Sequence, residues 1–212
     1  MANKNKYWEK RIQEQTDILW DKSLADIDKE LLRKYKSALD DTLKDISDLW
    51  DKIQKESETG VVKPNDLYRY NRYYQMKNQL NERIRRLGNS EQKIYRKKFM
   101  DNYFFTQDLL DEYVAYLTQQ PTMKETIGFT MEQSKAAEKV LESIWCADGK
   151  HWSDRVWSNK TKLQERIEKG LMDCVSRGVS KDILVKTLME DFNKGFHEAD
   201  RIARTELTYI QN

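Results

Sequence analysis

Apolar side chains recur every three or four residues along the first quarter of the chain, and no glycine or proline interrupts residues 2–59. A spacing that averages about 3.6 residues places them in one stripe along an α-helix. The pattern predicts a helix from Tyr7 to Ser57, roughly 75 Å long at 1.5 Å per residue. It leaves open whether this helix is continuous or folds back near residues 35–41. The stripe consists of Trp20, Leu24, Ile27, Leu31, Tyr35, Leu39, Leu43, Ile46, Trp50 and Ile53.

Turn-forming residues divide the rest of the chain into further predicted helices. Thr59 to Asn65 forms the first break, and Gly88-Asn89-Ser90 is expected to end one helix and cap the next at Ser90. Pro121 and Gly128 bracket a loop, after which Thr130 and Gln133 have the spacing of a capping box. Ser153 is a candidate N-cap, Gly178 suits a helix C-terminus, Ser180 is expected to start the next helix, and Lys194-Gly195 is expected to separate the last two helices. The predicted helices cover about 66–87, 91–119, 130–145, 153–177, 180–193 and 198–212.

No segment has the pattern of a β-strand, so the predicted fold class is all-α. We expect a long N-terminal helical arm or hairpin packed with a C-terminal multi-helix domain. Residues 1–128 would form the elongated region, with a basic hairpin near 83–98, and residues 129–212 the compact domain. The last helix has no stop signal before Asn212, so we expect the natural protein to continue beyond it.

The composition fits an elongated helical protein. Charged residues make up 35% of the 212 residues and hydrophobic residues 38%, while aromatic residues at 11%, including six Trp, argue against disorder. Two cysteines make no disulfide framework, which favours a reducing compartment. No apolar run approaches the ~20 residues that span a bilayer, and the N-terminus lacks the apolar core of a signal peptide. We therefore expect a soluble protein, made in the cytoplasm, with no membrane partner.

Charge is distributed unevenly along the chain. Residues 14–58 are rich in Asp, whereas residues 63–100 are rich in Lys and Arg, so the first two long helices are expected to attract each other as an antiparallel pair. The remaining positive charge near 83–98 could contact nucleic acid phosphates, with neighbouring tyrosines stacking on bases. The alternative is a solvated basic face above a core of tyrosines. The candidate DNA-binding residues are Arg83, Arg85, Arg86, Lys93, Arg96, Lys97 and Lys98, and the neighbouring rings are Tyr68, Tyr70, Tyr73, Tyr74, Tyr95 and Phe99.

Candidate catalytic and metal-binding chemistry is sparse. Cys146, His151, Cys174 and His197 are not spaced as a zinc site, so no metal or other cofactor is expected. Cys174 is expected in the core and His197 on the surface. With two His and neither a nucleophile elbow nor a glycine-rich phosphate loop, the sequence predicts no enzyme.

Two segments differ from generic helical sequence. The first, residues 145–157, places Trp145, Trp152 and Trp157 around a turn, either as an aromatic knot that fixes two helices or as a docking surface, since Trp is favoured at interface hot spots. Asp154 would favourably follow the Ser153 cap at the positive end of that helix. The second segment, residues 199–206, includes Arg204 and Glu206, which do not face each other on one helix and must find partners elsewhere. We expect a buried, paired structural role for them rather than catalysis.

These two segments resemble the phage minor head proteins, the head morphogenesis family related to protein F of phage Mu. The resemblance is carried by residues 145–160, then Gly178-Val179-Ser180 between two helices, then Arg201 to Glu206; residues 7–11 also look like the opening of many members. It is specific over residues 145–206, whereas residues 61–128 do not align. Relatives usually continue into a segment with Cys and His that is absent here. The matching motif residues are Trp145, Asp148, Gly149, Ser153, Asp154, Arg155, Trp157, Arg201, Arg204, Thr205 and Glu206.

The resemblance implies a minor capsid component, present in few copies inside the virion head, that associates with the portal and enters during procapsid assembly. Expected partners are the portal protein and other head proteins; double-stranded DNA, which some members bind, and a second copy of the chain are further candidates. Two alternatives stay open: a helical nucleic-acid-binding module without a capsid role, and the carrier part of a fused effector enzyme.

Overall fold

The computed structural model describes residues 2–57, 62–68, 71–122, 131–177 and 180–211. In this part of the chain every regular element is helical, which confirms the all-α fold class. Five longer helices and one of five residues follow in the order α1 Ala2–Glu56, α2 Pro64–Tyr68, α3 Arg72–Thr118, α4 Met131–Leu141, α5 Trp152–Ser176 and α6 Lys181–Gln211. None of these helices is both long and apolar enough to cross a membrane.

The N-terminal stripe forms one continuous helix. α1 has 55 residues and no break near residues 35–41, which answers the question that the sequence left open. The stripe residues Ile27, Leu31, Tyr35 and Ile53 are almost completely buried. The burial of these side chains against other helices, rather than intrinsic helix propensity, stabilises so long an element.

Oppositely charged side chains align α1 and α3 as an antiparallel pair, as predicted. In the first part of α1, Arg11 pairs with Glu112 at 3.3 Å and Asp26 pairs with Lys98 at 2.6 Å. Further along, Asp45 pairs with Arg83 and Glu56 pairs with Arg72. As the residue numbers of the paired side chains rise along α1, the residue numbers of their partners on α3 fall. The acidic stretch of α1 therefore neutralises part of the basic stretch of α3.

The prediction of a turn at Gly88-Asn89-Ser90 is wrong, and so is the prediction of a basic hairpin around it. α3 is one helix of 47 residues, and the Ser90 hydroxyl bonds back to the Arg86 carbonyl at 2.9 Å rather than capping a new helix. A Cβ on Gly88 would lie 2.8 Å from the ring of Trp157. The glycine therefore lets an aromatic ring approach the helix backbone, and the gain in packing outweighs its low helix propensity.

The prediction of a helix break at Lys194-Gly195 is also wrong, because other side chains again pack closely on the glycine. α6 continues through Gly195 to Gln211, and a Cβ on Gly195 would lie 3.2 Å from the Tyr35 ring and 3.3 Å from Leu163. Ser180 directly precedes α6, as predicted. α5 begins at Trp152, so Ser153 lies in its first turn. Gly60, Gly128, Thr130 and Gly178, for which the sequence predicts loops or caps, lie outside the described residues.

The chain divides into two compact units. Unit 1 comprises residues 1–29, 93–152 and 201–212, and unit 2 comprises residues 30–92 and 153–200. Each unit takes residues from both sides of the boundary predicted at residue 128, and α1, α3 and α6 contribute to both units. The core of unit 1 includes Ile27, Tyr95, Phe99, Leu109, Ala137, Leu141, Trp152, Ala203 and Leu207.

Unit 2 is built from segments of α1, α3, α5 and α6. The long N-terminal helices pack here against the C-terminal helices, as the sequence predicted. Apolar side chains from all four helices fill the core. The most buried of them are Leu31, Ile53, Ile84, Val156, Leu163, Ile167, Leu171, Leu184 and Leu188.

Candidate functional site

The turn between α4 and α5 is held by local hydrogen bonds. The Gly149 N–H donates to the Cys146 carbonyl at 3.0 Å, and the Lys150 N–H donates to the Asp148 carboxylate at 3.2 Å. Gly149 has a φ of +66°, a left-handed conformation that glycine adopts without a steric penalty. Asp148 and Gly149, two of the residues that carry the resemblance, therefore shape the turn itself.

Two rings after the turn attach it to the end of α4. The His151 Nε2 atom lies 2.7 Å from the Leu141 carbonyl oxygen, and the Trp152 indole N–H donates to the same oxygen at 3.0 Å. Carbonyls in the last turn of a helix have no partner within the helix, so these bonds satisfy one of them. Trp152 is buried and meets Tyr95 and Phe99 edge to face, with ring centroids 6.2 and 5.7 Å away.

Trp145 connects the turn to the second motif segment. Its indole N–H donates to the Glu206 carboxylate at 3.0 Å, and its ring stacks on Tyr209 with centroids 4.3 Å apart and an interplanar angle of 5°. Glu206 is buried, whereas Trp145 remains 38% exposed. Unit 1 therefore brings together two segments that are 61 residues apart in the sequence.

The predicted knot of three tryptophans is wrong, because each ring has different partners. Trp145 stacks on Tyr209 and Trp152 packs on Tyr95 and Phe99. Trp157 lies in unit 2 against Gly88. Spacing in the sequence places the three rings near one turn but does not determine which face of its helix each one occupies.

The remaining motif residues lie at helix ends and along helix surfaces. Ser153 and Arg155 are half-buried in the first turn of α5, where Asp154 is exposed. On α6, the exposed Arg201 accepts a bond at its carbonyl from the Thr205 hydroxyl at 2.9 Å. Arg204 pairs with Asp28 of α1 at 3.6 Å. Arg204 and Glu206 thus meet partners on other segments, as expected, although Arg204 itself is not buried.

The N-terminal segment of the resemblance is also in contact with other elements. Trp8 is buried in unit 1, with ring centroids 5.8 Å from Tyr113 and 5.2 Å from Tyr116 of α3. The Arg11 guanidinium lies over the Trp8 ring at 4.9 Å. The Trp and Arg of this segment therefore help to attach α1 to α3.

The structure divides the seven candidate DNA-binding residues between the two units. In unit 2, Arg83 is bound to Asp45, while Arg85 and Arg86 both bind Glu82, at 2.8 Å each. Hydrogen bonds from these two arginines lower the pKa of Glu82 from 4.5 to about 2. The three guanidiniums are therefore already engaged by carboxylates.

The other four candidates lie on α3 in unit 1. Lys98 is half-buried and binds Asp26, whose pKa is lowered by that hydrogen bond. Arg96 binds Glu138 of α4 at 2.9 Å, whereas Lys93 and Lys97 are exposed to solvent.

Most of the aromatic rings proposed for base stacking are either buried or lie away from the exposed cations Lys93 and Lys97. Tyr95 and Phe99 are completely buried, so they belong to the core. Tyr68 and Tyr74 are exposed but lie in unit 2, on either side of the half-buried Tyr73. Tyr70 lies outside the described residues.

A buried polar network, which the sequence analysis missed, joins three helices of unit 2. The Lys160 ammonium lies 2.6 Å from the Glu91 carboxylate, the Tyr35 hydroxyl donates to the same carboxylate at 3.1 Å, and Lys160 also donates to the Tyr35 hydroxyl. The exposed fractions of Tyr35, Glu91 and Lys160 are 3%, 0% and 2%. Burial, followed by the charge of Glu91, raises the pKa of Tyr35 well above its usual value.

The signal for this network was present in the helical periodicity. Glu91 occupies a core position of the α3 stripe, between Leu87 and Tyr95, and Lys160 occupies one of the α5 stripe, between Val156 and Leu163. A charged residue within each of two apolar stripes indicates a buried pair, because neither charge is tolerated in a core alone. Since the three side chains are buried, their arrangement suits a structural role.

A second polar cluster lies between α5 and α6 in unit 2. Arg166 binds both carboxylate oxygens of Glu198, at 3.1 and 3.2 Å, and lies 3.6 Å from Asp191. Burial raises the pKa of Asp191, and the neighbouring Arg166 opposes that rise. Two-point binding of a carboxylate by one guanidinium fixes the relative position of the two helices.

The soft metal ligands are dispersed. Among the described residues, no group of three or more His, Cys, Asp and Glu side chains could hold a metal ion. Cys174 is buried, as predicted, and burial raises the pKa of its thiol. His197 is exposed on α6, as predicted.

No family model, curated protein or solved structure matches the chain.

Proposed function

We propose that this protein is a phage minor head protein, a structural adaptor that associates with the portal inside the head. One observation supports the proposal above the others: the two segments that carry the family resemblance are in contact. Trp145 binds Glu206 through its indole N–H and stacks on Tyr209. The contact joins segments that are 61 residues apart in the sequence, which supports interpreting them as one structural element.

An adaptor role also agrees with the state of the buried ionisable groups. Glu91 and Lys160 bind each other and Tyr35, and Glu206 accepts the Trp145 bond. Catalytic acids and bases need access to a substrate, whereas these groups are enclosed by the core. Their arrangement gives these particular groups a structural role rather than a catalytic one.

The proposed contact with the portal includes the exposed edge beside the motif. Ile144 is 59% exposed and lies next to Trp145, which presents the part of its ring that Tyr209 does not cover. Tryptophan is enriched among residues that dominate binding energy, and apolar neighbours exclude water around it. Ile144 and Trp145 are therefore the residues that we expect to anchor a partner.

Co-purification with the portal protein encoded in the same genome tests the proposal. The full chain is co-expressed with the portal, and the mass of the complex gives the copy number per portal ring. We expect a stable complex with the unaltered chain and its loss with Ile144→Glu. Ile183→Glu is the matched control, because Ile183 is 51% exposed on α6 but lies in unit 2.

One outcome would contradict the proposed function, and another would contradict only the proposed docking edge. If the unaltered chain forms no complex with the portal, the head-protein function is wrong, and the helical nucleic-acid-binding module becomes the leading function. If Ile144→Glu and Ile183→Glu retain the complex equally, the docking edge is misplaced while the function stands. Circular dichroism at 222 nm establishes beforehand that both variants keep their helix content.

A further inference from the structure

Three apolar side chains of α1 are exposed to solvent at heptad spacing. They are Ile18, Ala25 and Leu32, and the side chains of Ile18 and Leu32 are 60% and 56% exposed. A heptad is close to two turns of an α-helix, so the three side chains lie in one line along this uninterrupted helix. The line is separate from the buried stripe of α1, which already packs in the core. Heptad spacing of exposed apolar residues is the pattern by which one helix packs against another.

Charged side chains of opposite sign flank this line. At about 100° per residue, Asp17 and Asp21 lie on one side of it, and Lys22 and Lys29 lie on the other. All four are exposed to solvent, and the Asp17 carboxylate accepts a hydrogen bond from Gln13 at 2.8 Å. The outer face of α1 is the name that we use for Ile18, Ala25 and Leu32 together with Asp17, Asp21, Lys22 and Lys29.

Each side of the outer face brings charges of one sign close together. Asp17 and Asp21 are four residues apart, and so are Lys29 and the exposed Arg33. Like charges at this spacing are neighbours on a helix surface and destabilise the helix. Asp26, which lies beyond the lysines, is already bound to Lys98 at 2.6 Å. A partner helix with the opposite arrangement of charges would relieve the repulsion on both sides.

We propose that the outer face of α1 binds the same face of a second copy of this chain, with the two helices parallel. A two-fold axis that runs along the pair places the acidic side of each copy against the basic side of the other. Asp21 of one copy then lies at nearly the same height as Lys22 of the second copy, because the two positions differ by one step of about 1.5 Å along the helix.

The distribution of charge selects both the partner and the orientation. In an antiparallel pair, the two acidic sides would meet at one edge and the two basic sides at the other, so both edges would be repulsive. A partner helix with only one sign of charge would satisfy one side of the face and repel the other. A parallel second copy satisfies both sides with the residues that the chain already has.

The number of apolar residues sets the expected strength of the dimer. A stable coiled coil has two apolar residues in each heptad, whereas the outer face of α1 has one. The interface therefore lies at the small end of the range for specific complexes. We expect a dissociation constant on the order of 100 μM, with the charged sides adding specificity more than affinity.

Sedimentation equilibrium of the full chain measures this association. At concentrations from about 10 μM to about 1 mM, which bracket the expected constant, the mass should rise from that of one chain, 25.4 kDa, toward twice that value. Asp17→Lys/Asp21→Lys makes both sides of the face basic, and Lys22→Asp/Lys29→Asp makes both sides acidic. Each variant alone should associate at least about ten-fold more weakly, and an equimolar mixture of the two should recover the association, because unlike sides then meet.

A matched control separates the outer face from net charge. Asp101→Lys/Glu142→Lys has the same change in net charge as Asp17→Lys/Asp21→Lys, at two exposed positions outside α1. We expect this control to associate within about three-fold of the unaltered chain. Circular dichroism verifies beforehand that every variant keeps its helix content, and recovery in the mixture excludes misfolding as the cause of the losses.

Cross-linking tests the parallel orientation. In a chain with Cys146→Ser, which removes the half-exposed thiol, Ile18→Cys should form a disulfide-linked dimer under mild oxidation, because residue 18 meets its own copy in a parallel pair. In an antiparallel pair centred on Ala25, the same two residues would be about 21 Å apart along the axis. Gln13→Cys is the matched control, since it is exposed on α1 but lies about a third of a turn away from the line.

Four results would overturn the proposal. They are a mass of one chain at every concentration, equal association of the two charge variants and the control, no recovery in the mixture, and cross-linking through Gln13→Cys as readily as through Ile18→Cys. The inference does not depend on the proposed function. A chain that forms this dimer and no portal complex would contradict only the head-protein function, and a chain that binds the portal without dimerising would contradict only the inference.

Discussion

The buried network of Tyr35, Glu91 and Lys160 allows a sharp prediction about stability. In Lys160→Met, the Glu91 carboxylate loses its counter-charge inside the core of unit 2, and in Glu91→Leu the Lys160 ammonium does. Removing one partner of a buried pair costs about 3–5 kcal/mol, because the remaining charge stays desolvated without compensation. For a chain of this size, a loss of 1 kcal/mol lowers the melting temperature by roughly 2–4 °C.

The double variant Glu91→Leu/Lys160→Met should be far more stable than the sum of the single changes implies. Replacing both partners of a buried pair with apolar side chains of similar volume is often neutral or stabilising by about 1–4 kcal/mol. The Tyr35 hydroxyl, which loses both partners, reduces that gain by about 1–3 kcal/mol. We therefore expect the free energy of unfolding of the double variant to lie within about 2 kcal/mol of that of the unaltered chain. Adding Tyr35→Phe to the double variant should increase its stability further.

Urea unfolding followed by circular dichroism measures all of these differences. The matched control is the ion pair Lys10–Glu14, whose side chains are 76% and 59% exposed; replacing either should change the free energy of unfolding by less than about 1 kcal/mol. The reasoning is refuted if the buried single variants behave like this control, or if the double variant loses as much as both singles together.

Three further predictions concern other residues. Gly88→Ala should destabilise the chain by about 1–3 kcal/mol in urea unfolding, because the added Cβ would lie 2.8 Å from the Trp157 ring. In a chain that also has Trp157→Leu, Gly88→Ala should instead increase stability. An increase in stability while Trp157 is still present would contradict the packing argument. Trp145→Phe, which removes the bond to Glu206, should cost about 1.5–3 kcal/mol, whereas a cost near zero would show that this bond does not stabilise the motif. Because the pKa of Glu82 is lowered, the stabilising effect of this carboxylate is complete above its usual pKa of 4.5 and is lost as the pH falls through about 2. NMR titration of the carboxyl group should give a midpoint near 2, and the midpoint should return toward 4.5 when Arg85 and Arg86 are replaced by Gln. An unchanged midpoint in that variant would contradict the role of the two arginines.

Helix identity was predictable from the sequence because it depends on local periodicity. The stripe from Trp20 to Ile53 has helical spacing without a glycine or proline, and α1 is indeed one helix. The opposite charges of α1 and α3 predicted their antiparallel pairing, since complementary charges along two long helices favour one orientation. Burial of Cys174 followed from the apolar positions beside it. His197 is exposed as expected, but the helix start on which that expectation was based does not exist, because α6 continues through this residue.

The candidate site was predictable only in part. The sequence marked residues 145–157 and 199–206 as unusual, but it did not show that Trp145 meets Glu206 and Tyr209. It treated residues 83–98 as one basic hairpin, whereas the structure assigns Arg83, Arg85 and Arg86 to unit 2 and the remaining cations to unit 1. The partners of long side chains depend on which helices are neighbours in space, and local spacing does not carry that information.

The sequence by itself determined that this protein is all-α, where its longest stripe lies and which residues are unusual. Tertiary structure decided whether a glycine ends a helix: a helical glycine costs about 1 kcal/mol relative to alanine, and the close approach of Trp157 to Gly88 and of Tyr35 to Gly195 outweighs that cost. It also decided which charges are buried, because Glu91 and Lys160 are tolerated in the core only where α3 and α5 bring them within 2.6 Å of each other. Periodicity arises along one helix, whereas burial and pairing arise between helices.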